Sequence, residues 1–259
     1  MSGGGELAGW AFYRFALFVT GDGERNFLQF MFRPLETGGH CHFKVVHQFR
    51  QRSPIRSETK QLKMVRQHKT IPDKDEEIGL MARKYLNEGY DFIVLVDDLE
   101  RDRATISVEV YDRYRKALDT LLSPRGLESK SSVHFLVNMI EAYYFGDASA
   151  VNSVLGTQLV DFDGDVETIP HPKNELKRIV SSIRKGTSFD EVKDGRAIMQ
   201  LLDVAKVLSR PETCRSLRTA FAWCVRAMRQ KPTELFRLTD GQLYPVTARQ
   251  IESLAPILD

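Results

Sequence analysis

The stretch Asp91-Phe92-Ile93-Val94-Leu95-Val96-Asp97-Asp98-Leu99-Glu100-Arg101-Asp102 constrains this chain more than any other. Its apolar run, Phe92 to Val96, is too short for a helix and rich in β-branched and aromatic side chains. It reads as a strand buried on both faces, as in a parallel sheet. Acids then crowd the point where the strand leaves the core. In open parallel sheets, ligands and chemistry collect at the carboxyl ends of strands. Carboxylates packed this closely repel one another, and a divalent cation relieves the repulsion. Asp97, Asp98 and Glu100 are therefore candidate catalytic residues, with Mg²⁺ or Mn²⁺ as the candidate cofactor. The alternative reading is a solvated strand end in which Asp98 or Asp102 caps the next helix.

Three more segments extend the α/β pattern. Phe15 to Val19 reads as a first buried strand, followed by the turn Thr20-Gly21-Asp22-Gly23-Glu24. One helix is expected from there through Leu35, with Phe27, Leu28, Met31 and Phe32 inward. His42 to Val46 is a second strand, and residues 50 to 74 are a long polar connection. A helix from Asp75 carries Ile78, Met81, Ala82, Tyr85 and Leu86 at helical spacing and stops at Gly89. Residues 102 to 122 fit either an alternating strand (Ile106, Val108, Val110) or a helix (Val110, Tyr114, Ala117, Leu118, Leu121), with the helix fitting better. Val133 to Val137 is the fourth strand, and Met139 to Leu155 reads as short helices.

Beyond the acidic loop of Asp161, Asp163, Asp165 and Glu167, the apolar periods are helical. The stripes are Leu176, Ile179, Val180 and Ile183; Ile198, Leu201, Leu202 and Ala205; and Leu217, Ala220, Phe221, Cys224 and Met228. The last is expected to open at Ser209, Pro211 and Glu212 as cap, early proline and first-turn acid. The fold class is thus α/β, a mainly parallel sheet of about four strands, over residues 1–156. A helical C-terminal region, 157–259, is expected to dock on that core. Cys41, Cys214 and Cys224 form no disulfide framework, which suits a reducing compartment. No apolar run approaches the roughly 18 residues of a membrane span. The first residues lack a signal-peptide pattern, so a cytoplasmic protein with no membrane partner is expected. The net charge of +2 says little about partners.

The motifs have an order. A glycine-acid turn follows the first strand, and an acid cluster follows a later one. Next come Asn138-Met139-Ile140-Glu141-Ala142-Tyr143-Tyr144-Phe145-Gly146-Asp147, the proline-lysine helix start His171-Pro172-Lys173, and Cys214-Arg215-Ser216-Leu217 opening a late helix. This series resembles a TOPRIM-like family of bacterial proteins often encoded beside ATPases in anti-phage defence loci. That family is distantly similar to the nuclease domain of OLD-family enzymes. The resemblance implies a Rossmann-like parallel sheet. It also implies a Mg²⁺ site built from one acid after the first strand and a pair after a later one, with nucleic acid and a neighbouring ATPase as partners. Carried over, the metal ligands fall on Asp22, Asp98 and Glu100, with Asp97 and Glu24 also catalytic candidates. The usual Asp-x-Asp is replaced by Asp98-x-Glu100. Set on the family's Gly-Glu-Gly, Gly21-Asp22-Gly23 makes Asp22 the first acid; set on Glu-Gly, Thr20-Gly21 leaves only Glu24 nearby. The function implied is a Mg²⁺-dependent, phosphodiester-cleaving effector. The alternative is an inactive adaptor binding an ATPase or nucleic acid.

Charge and isolated polar residues complete the reading. Lys44, Arg50, Arg52, Arg56, Lys60, Lys63, Arg66, Lys69 and Lys74 are opposed only by Glu58 and Asp73. Such a stripe suits a phosphate backbone, and Arg50, Arg52, Arg56, Lys60, Lys63 and Arg66 are the candidate nucleic-acid contacts. The alternative is a solvated loop. Glu141 on an apolar segment is costly to bury unless paired, and with Lys173 it is a candidate supporting residue. His40, Cys41, His42 and His47 match no standard zinc spacing. No serine has a glycine elbow, and no P-loop or dinucleotide fingerprint is present.

Overall fold

The computed structural model describes residues 11–53, 69–99, 106–183, 186–210 and 212–228. Its centre is a four-stranded sheet: β1 (Tyr13–Val19), β2 (Cys41–Gln48), β3 (Phe92–Leu99) and β4 (Ser131–Val137). The order is β2-β1-β3-β4 and every pairing is parallel. Val19 lies opposite Val96 and Leu99 opposite Val137, so the tips of β1, β3 and β4 gather at one edge of the molecule.

Alternation along the strands divides the interior in two. On one face Ala16, Phe18, Ile93, Leu95, Leu99, Val133 and Phe135 meet α3 (Asp73–Asn87) and α4 (Ser107–Leu122) through Ile78, Ala82, Val110, Tyr114 and Leu118. These helices pack tightly: a Cβ on Gly79 would stand 2.5 Å from the Ala117 carbonyl oxygen. On the other face Phe15, Leu17, Val19, Val94, Val96 and Leu136 meet α1 (Asp22–Phe27) and α2 (Arg33–Glu36). The same core takes in α5 (Ala148–Leu155), α6 (Pro172–Ile183), α7 (Lys193–Leu201), α8 (Val204–Val207) and α9 (Arg215–Ala227). Phe221 of α9 stacks on Phe32 with centroids 5.5 Å apart. Burying each such ring is worth about 1.5–3 kcal/mol.

The helices between β1 and β2 pack on one face of the sheet, and α3 and α4, which precede β3 and β4, pack on the other. The strand order therefore reverses between β1 and β3, a topological switch point.

Three local expectations change. The helix expected through Leu35 is broken into α1, a 3-10 turn at Leu28–Phe32, and α2. Pro34 has no N–H to give the Phe30 carbonyl, so one α-helix cannot run through it. Residues 107–122 are helical and Val108 is 56% exposed, as the helical period requires. The late helix begins at Arg215, not at Ser209–Glu212, because its cap is tertiary. The distant Glu167 carboxylate accepts the Ser216 and Leu217 N–H groups, at 3.1 and 3.2 Å. Pro211 lies outside the described residues. Among the described residues, no helix is long and apolar enough to cross a membrane.

Candidate acidic active site

The switch point holds two groups of acids, one on each face of the sheet. Asp97 follows Leu95 onto the α3–α4 face and is fully buried there. Thr20 Oγ1 donates to its Oδ1 at 2.5 Å, and Tyr114 Oη donates to its Oδ2 at 3.0 Å. Asp97, expected among the catalytic acids, is thus a satisfied core carboxylate facing away from Asp98. Strand alternation, which sequence adjacency conceals, is the reason.

Asp98 follows Val96 onto the opposite face. It is 6% exposed, and the side chain of Glu24 lies within hydrogen-bonding reach of it. Glu24 is brought there by α1, directly after the β1 tip, and is 3% exposed. Gly21 makes room for it: a Cβ on Gly21 would fall 1.9 Å from Glu24 Oε2. Two buried carboxylates in contact cannot both be charged without a compensating cation, so alone they hold a proton. Burial chiefly, with the charges of Glu24, Glu141 and Asp97, lifts Asp98 well above the usual carboxylate range.

Glu141 comes from a 3-10 turn after β4, Ile140–Gly146, and is 4% exposed. The two residues preceding that 3-10 turn, Asn138 and Met139, have φ of 58° and 74°. Backbone of this kind is uncommon outside glycine and costs about 1–3 kcal/mol per residue. Here it turns the chain so that Glu141 enters the site. Burial raises the Glu141 carboxyl from 4.5 to about 7, and the nearby Glu24 adds to the effect. The Tyr144 hydroxyl is held in its neutral form by burial and by the charges of Glu141, Glu24 and Asp98. Lys173, at the start of α6, closes the cluster. Burial works against its ammonium, but Glu191, Glu141 and Asp98 outweigh it and hold the proton more tightly than usual. Its Nζ stands 2.6 Å from Glu191 Oε2.

The structure thus brings together Glu24, Asp98, Glu141 and Lys173, and adds Tyr144 and Glu191. Asp22 is elsewhere: its Oδ1 accepts a hydrogen bond from Gln48 at 2.9 Å, and the acid of the first turn that meets Asp98 is Glu24. Glu100 lies outside the described residues.

As the side chains stand, no group of three or more His, Cys, Asp or Glu among the described residues is arranged to hold a metal ion. The donor chemistry suits a hard divalent cation nonetheless. Glu24 Oε2 and Glu141 Oε2 are buried with no hydrogen-bond partner among the described residues. All-oxygen, carboxylate-rich sets are what Mg²⁺ takes.

The basic stripe divides. Arg50 is exposed. Arg52 is corrected: it is 7% exposed, and its guanidinium donates to Asp75 (2.9 Å), to the Arg50 carbonyl and to the Lys74 carbonyl. Arg113 grips the other side of Asp75, at 2.8 and 3.0 Å. A guanidinium spent on buried partners is not a phosphate contact. Arg56, Lys60, Lys63 and Arg66 lie outside the described residues.

Tyr144 had a sequence signal, three residues beyond Glu141, where a helical turn brings side chains together. Glu191 had none, since its role depends on the docking of α6 and α7.

No known family model matches the chain, and no curated protein matches it in sequence. Among solved structures it is similar to the C-terminal region of the Burkholderia pseudomallei OLD protein, with a TM-score of 0.40 and 16% identity over 84% of this chain and 99% of that one. It is also similar to the C-terminal region of the Xanthomonas campestris pv. campestris OLD protein, with a TM-score of 0.39 and 13% identity over 84% of this chain and 94% of that one. Both likenesses are distant.

Proposed function

We propose that this chain is a Mg²⁺-dependent nuclease-type protein, cleaving phosphodiesters at the cluster of Glu24, Asp98 and Glu141. The observation that carries the reading is the contact between the buried Glu24 and Asp98 carboxylates at the switch point, with unsatisfied oxygens on Glu24 and Glu141 beside it. Such a site is unfavourable to fold and is relieved by a divalent cation. Glu24, Asp98 and Glu141, joined by Glu100, would hold the metal, which supplies charge neutralisation at the phosphate and a more acidic bound water. Lys173 places a fixed positive charge beside the acids, where a phosphate oxygen needs one. Tyr144 keeps its proton beside these acids, with its hydroxyl donating to the Gly195 carbonyl at 3.5 Å. The wider setting belongs to the same proposal: a nucleic-acid substrate, an ATPase partner encoded nearby and an anti-phage role in the cytoplasm.

The test is Mg²⁺- or Mn²⁺-dependent cleavage of DNA and RNA by the purified protein, with Asp98→Asn as the control. Cleavage that survives Asp98→Asn, or proceeds equally in chelator, refutes the assignment.

A second reading is favoured by one observation: among the described residues no three acids are arranged to hold a metal ion. In that reading the Glu24–Asp98 pair stays closed on its proton, and the fold serves as an adaptor for nucleic acid or an ATPase. Nucleic-acid binding with no cleavage in either metal is its signature.

A further inference from the structure

Glu191 bridges two lysines on one face of α6. Its Oε2 stands 2.6 Å from Lys173 Nζ and its Oε1 stands 3.3 Å from Lys177 Nζ. Both lysines are awkwardly placed for the helix itself. Lys173 is the second residue of α6, where a cation opposes the positive end of the helix dipole. Lys177 is its neighbour one turn on, a like-charge pair that destabilises the helix. Lys173 also lies close enough to Glu141 and Asp98 for their charges to tighten its hold on its proton. The lysine pair therefore runs outward from the acid cluster, with its first member in the cluster and its second 41% exposed. Glu191 is itself 39% exposed, so an incoming anion can reach the same ammonium groups. Partial burial disfavours its charge, yet Lys173 and Lys177 hold it ionised below the usual range. Two cations a helical turn apart, spanned by one anionic group with two oxygens, is the arrangement that a phosphate diester would meet.

We propose that Lys173 and Lys177 bind the phosphate backbone of the nucleic acid as it runs outward from the acid cluster, and that the Glu191 carboxylate occupies this place until substrate displaces it. The inference rests on the reading that the ligand is a phosphodiester, and it does not require that the ligand be cut. Glu191 is thus an internal competitor that weakens binding of anything unable to displace it.

The test is metal-free binding of the full chain to a labelled DNA duplex of about 20 base pairs, and to RNA of the same sequence, across a salt series in chelator. Glu191→Gln should bind roughly three- to tenfold more tightly than the unaltered protein at low salt. Lys177→Ala should bind more weakly and flatten the log–log salt slope by about one. The gain from Glu191→Gln should shrink when Lys177→Ala is combined with it, and vanish when Lys173→Ala is added as well, because the competition is for those two lysines. Glu175→Gln is the control: it removes the same charge from α6 itself, beside the two lysines, where Glu175 pairs with Arg178. If it tightens binding as much as Glu191→Gln does, the effect is general charge and the proposal falls. The proposal also falls if the unaltered protein shows no salt-dependent binding at all. Cleavage in Mg²⁺ is scored separately. A protein that shows the binding pattern and never cleaves keeps this inference and loses the catalytic one.

Discussion

Tyr114 Oη donates to Asp97 Oδ2 at 3.0 Å and accepts the Arg52 backbone N–H at 3.0 Å. The acid beside the candidate catalytic Asp98 is therefore tied, through one phenol, to the segment that follows β2. With Thr20 on its other oxygen, Asp97 fixes the tips of β1 and β3 to each other and to α4. Asp98 and Glu24 project from those same two tips on the opposite face. The buried network on one face thus sets the separation of the acids on the other.

Asp97 and Asp98 should accordingly respond in opposite ways to loss of charge. Tyr114→Phe removes a donor from Asp97 and should cost about 1–3 kcal/mol, read in thermal or urea unfolding. Asp97→Asn should also destabilise the fold. Asp98→Asn relieves the crowding with Glu24 and Glu141 and should raise stability at pH 8 by about 0.5–2 kcal/mol while abolishing cleavage. If Asp98→Asn destabilises as Asp97→Asn does, the carboxylate contact is not a strained one.

Burial lifts the Glu141 carboxyl from 4.5 to about 7, which makes stability depend on pH in a defined direction. The folded state binds this proton more tightly than the unfolded chain does. Its contribution is therefore complete below about pH 4.5 and is lost as pH rises through about 7. Each tenfold in proton affinity is about 1.4 kcal/mol, so the full effect is on the order of 3 kcal/mol. The melting temperature should rise as pH falls from about 8 toward 5.5, and Glu141→Gln should flatten that rise. Glu167, also raised to about 7 by burial, contributes in the same sense and leaves a residual slope in the variant. A slope in Glu141→Gln equal to that of the unaltered protein would show that the group is ionised at neutral pH.

The basic stripe after β2 supplies a third contrast. Arg52→Ala removes one of two guanidinium partners from the buried Asp75 and should cost about 3 kcal/mol. Arg50→Ala touches an exposed side chain and should leave unfolding within about 0.5 kcal/mol. Only Arg50→Ala should then report on nucleic-acid affinity in a fully folded protein. Equal stability of the two variants would contradict the buried network.

The sheet was legible because its signals are local. An apolar run of strand length, ending in acids, can hardly be anything but a buried parallel strand, and the helices at 73–87 and 107–122 announce themselves by period. The site was legible only in part. Asp98 and Glu141 stand out as acids beside apolar runs. Whether Asp97 or Asp98 faces the site depends on which face of β3 carries α3 and α4, and nothing within the run encodes that. Glu141 is aimed by positive φ at Asn138 and Met139; asparagine tolerates that backbone, but no propensity foretells it for Met139. Arg52 was misread because charge can be counted along a sequence and burial cannot. The cap of α9 was misread because Glu167, its acceptor, arrives from another loop.

Gly21 offers the most selective test of the acid cluster. Its φ of −110° and ψ of 159° are ordinary for any residue, so alanine meets no backbone strain there. An added methyl would fall 1.9 Å from Glu24 Oε2, so the flexible carboxylate end of Glu24 must turn away. Gly21→Ala therefore removes Glu24 from Asp98 without changing any acid. Replacing a glycine at a compatible backbone position stabilises by about 0.4–1 kcal/mol through the unfolded state. Parting two crowded carboxylates adds to that. The variant should melt no lower than the unaltered protein in chelator at pH 8. Its rise in melting temperature with Mg²⁺ or Mn²⁺, and its cleavage, should fall to the level of Glu24→Gln. If Gly21→Ala keeps full metal response while Glu24→Gln loses it, the carboxylate acts from a position other than the one that Gly21 makes room for. If both keep it, Glu24 is not a ligand, and the metal must be held from the Asp98 and Glu141 side alone.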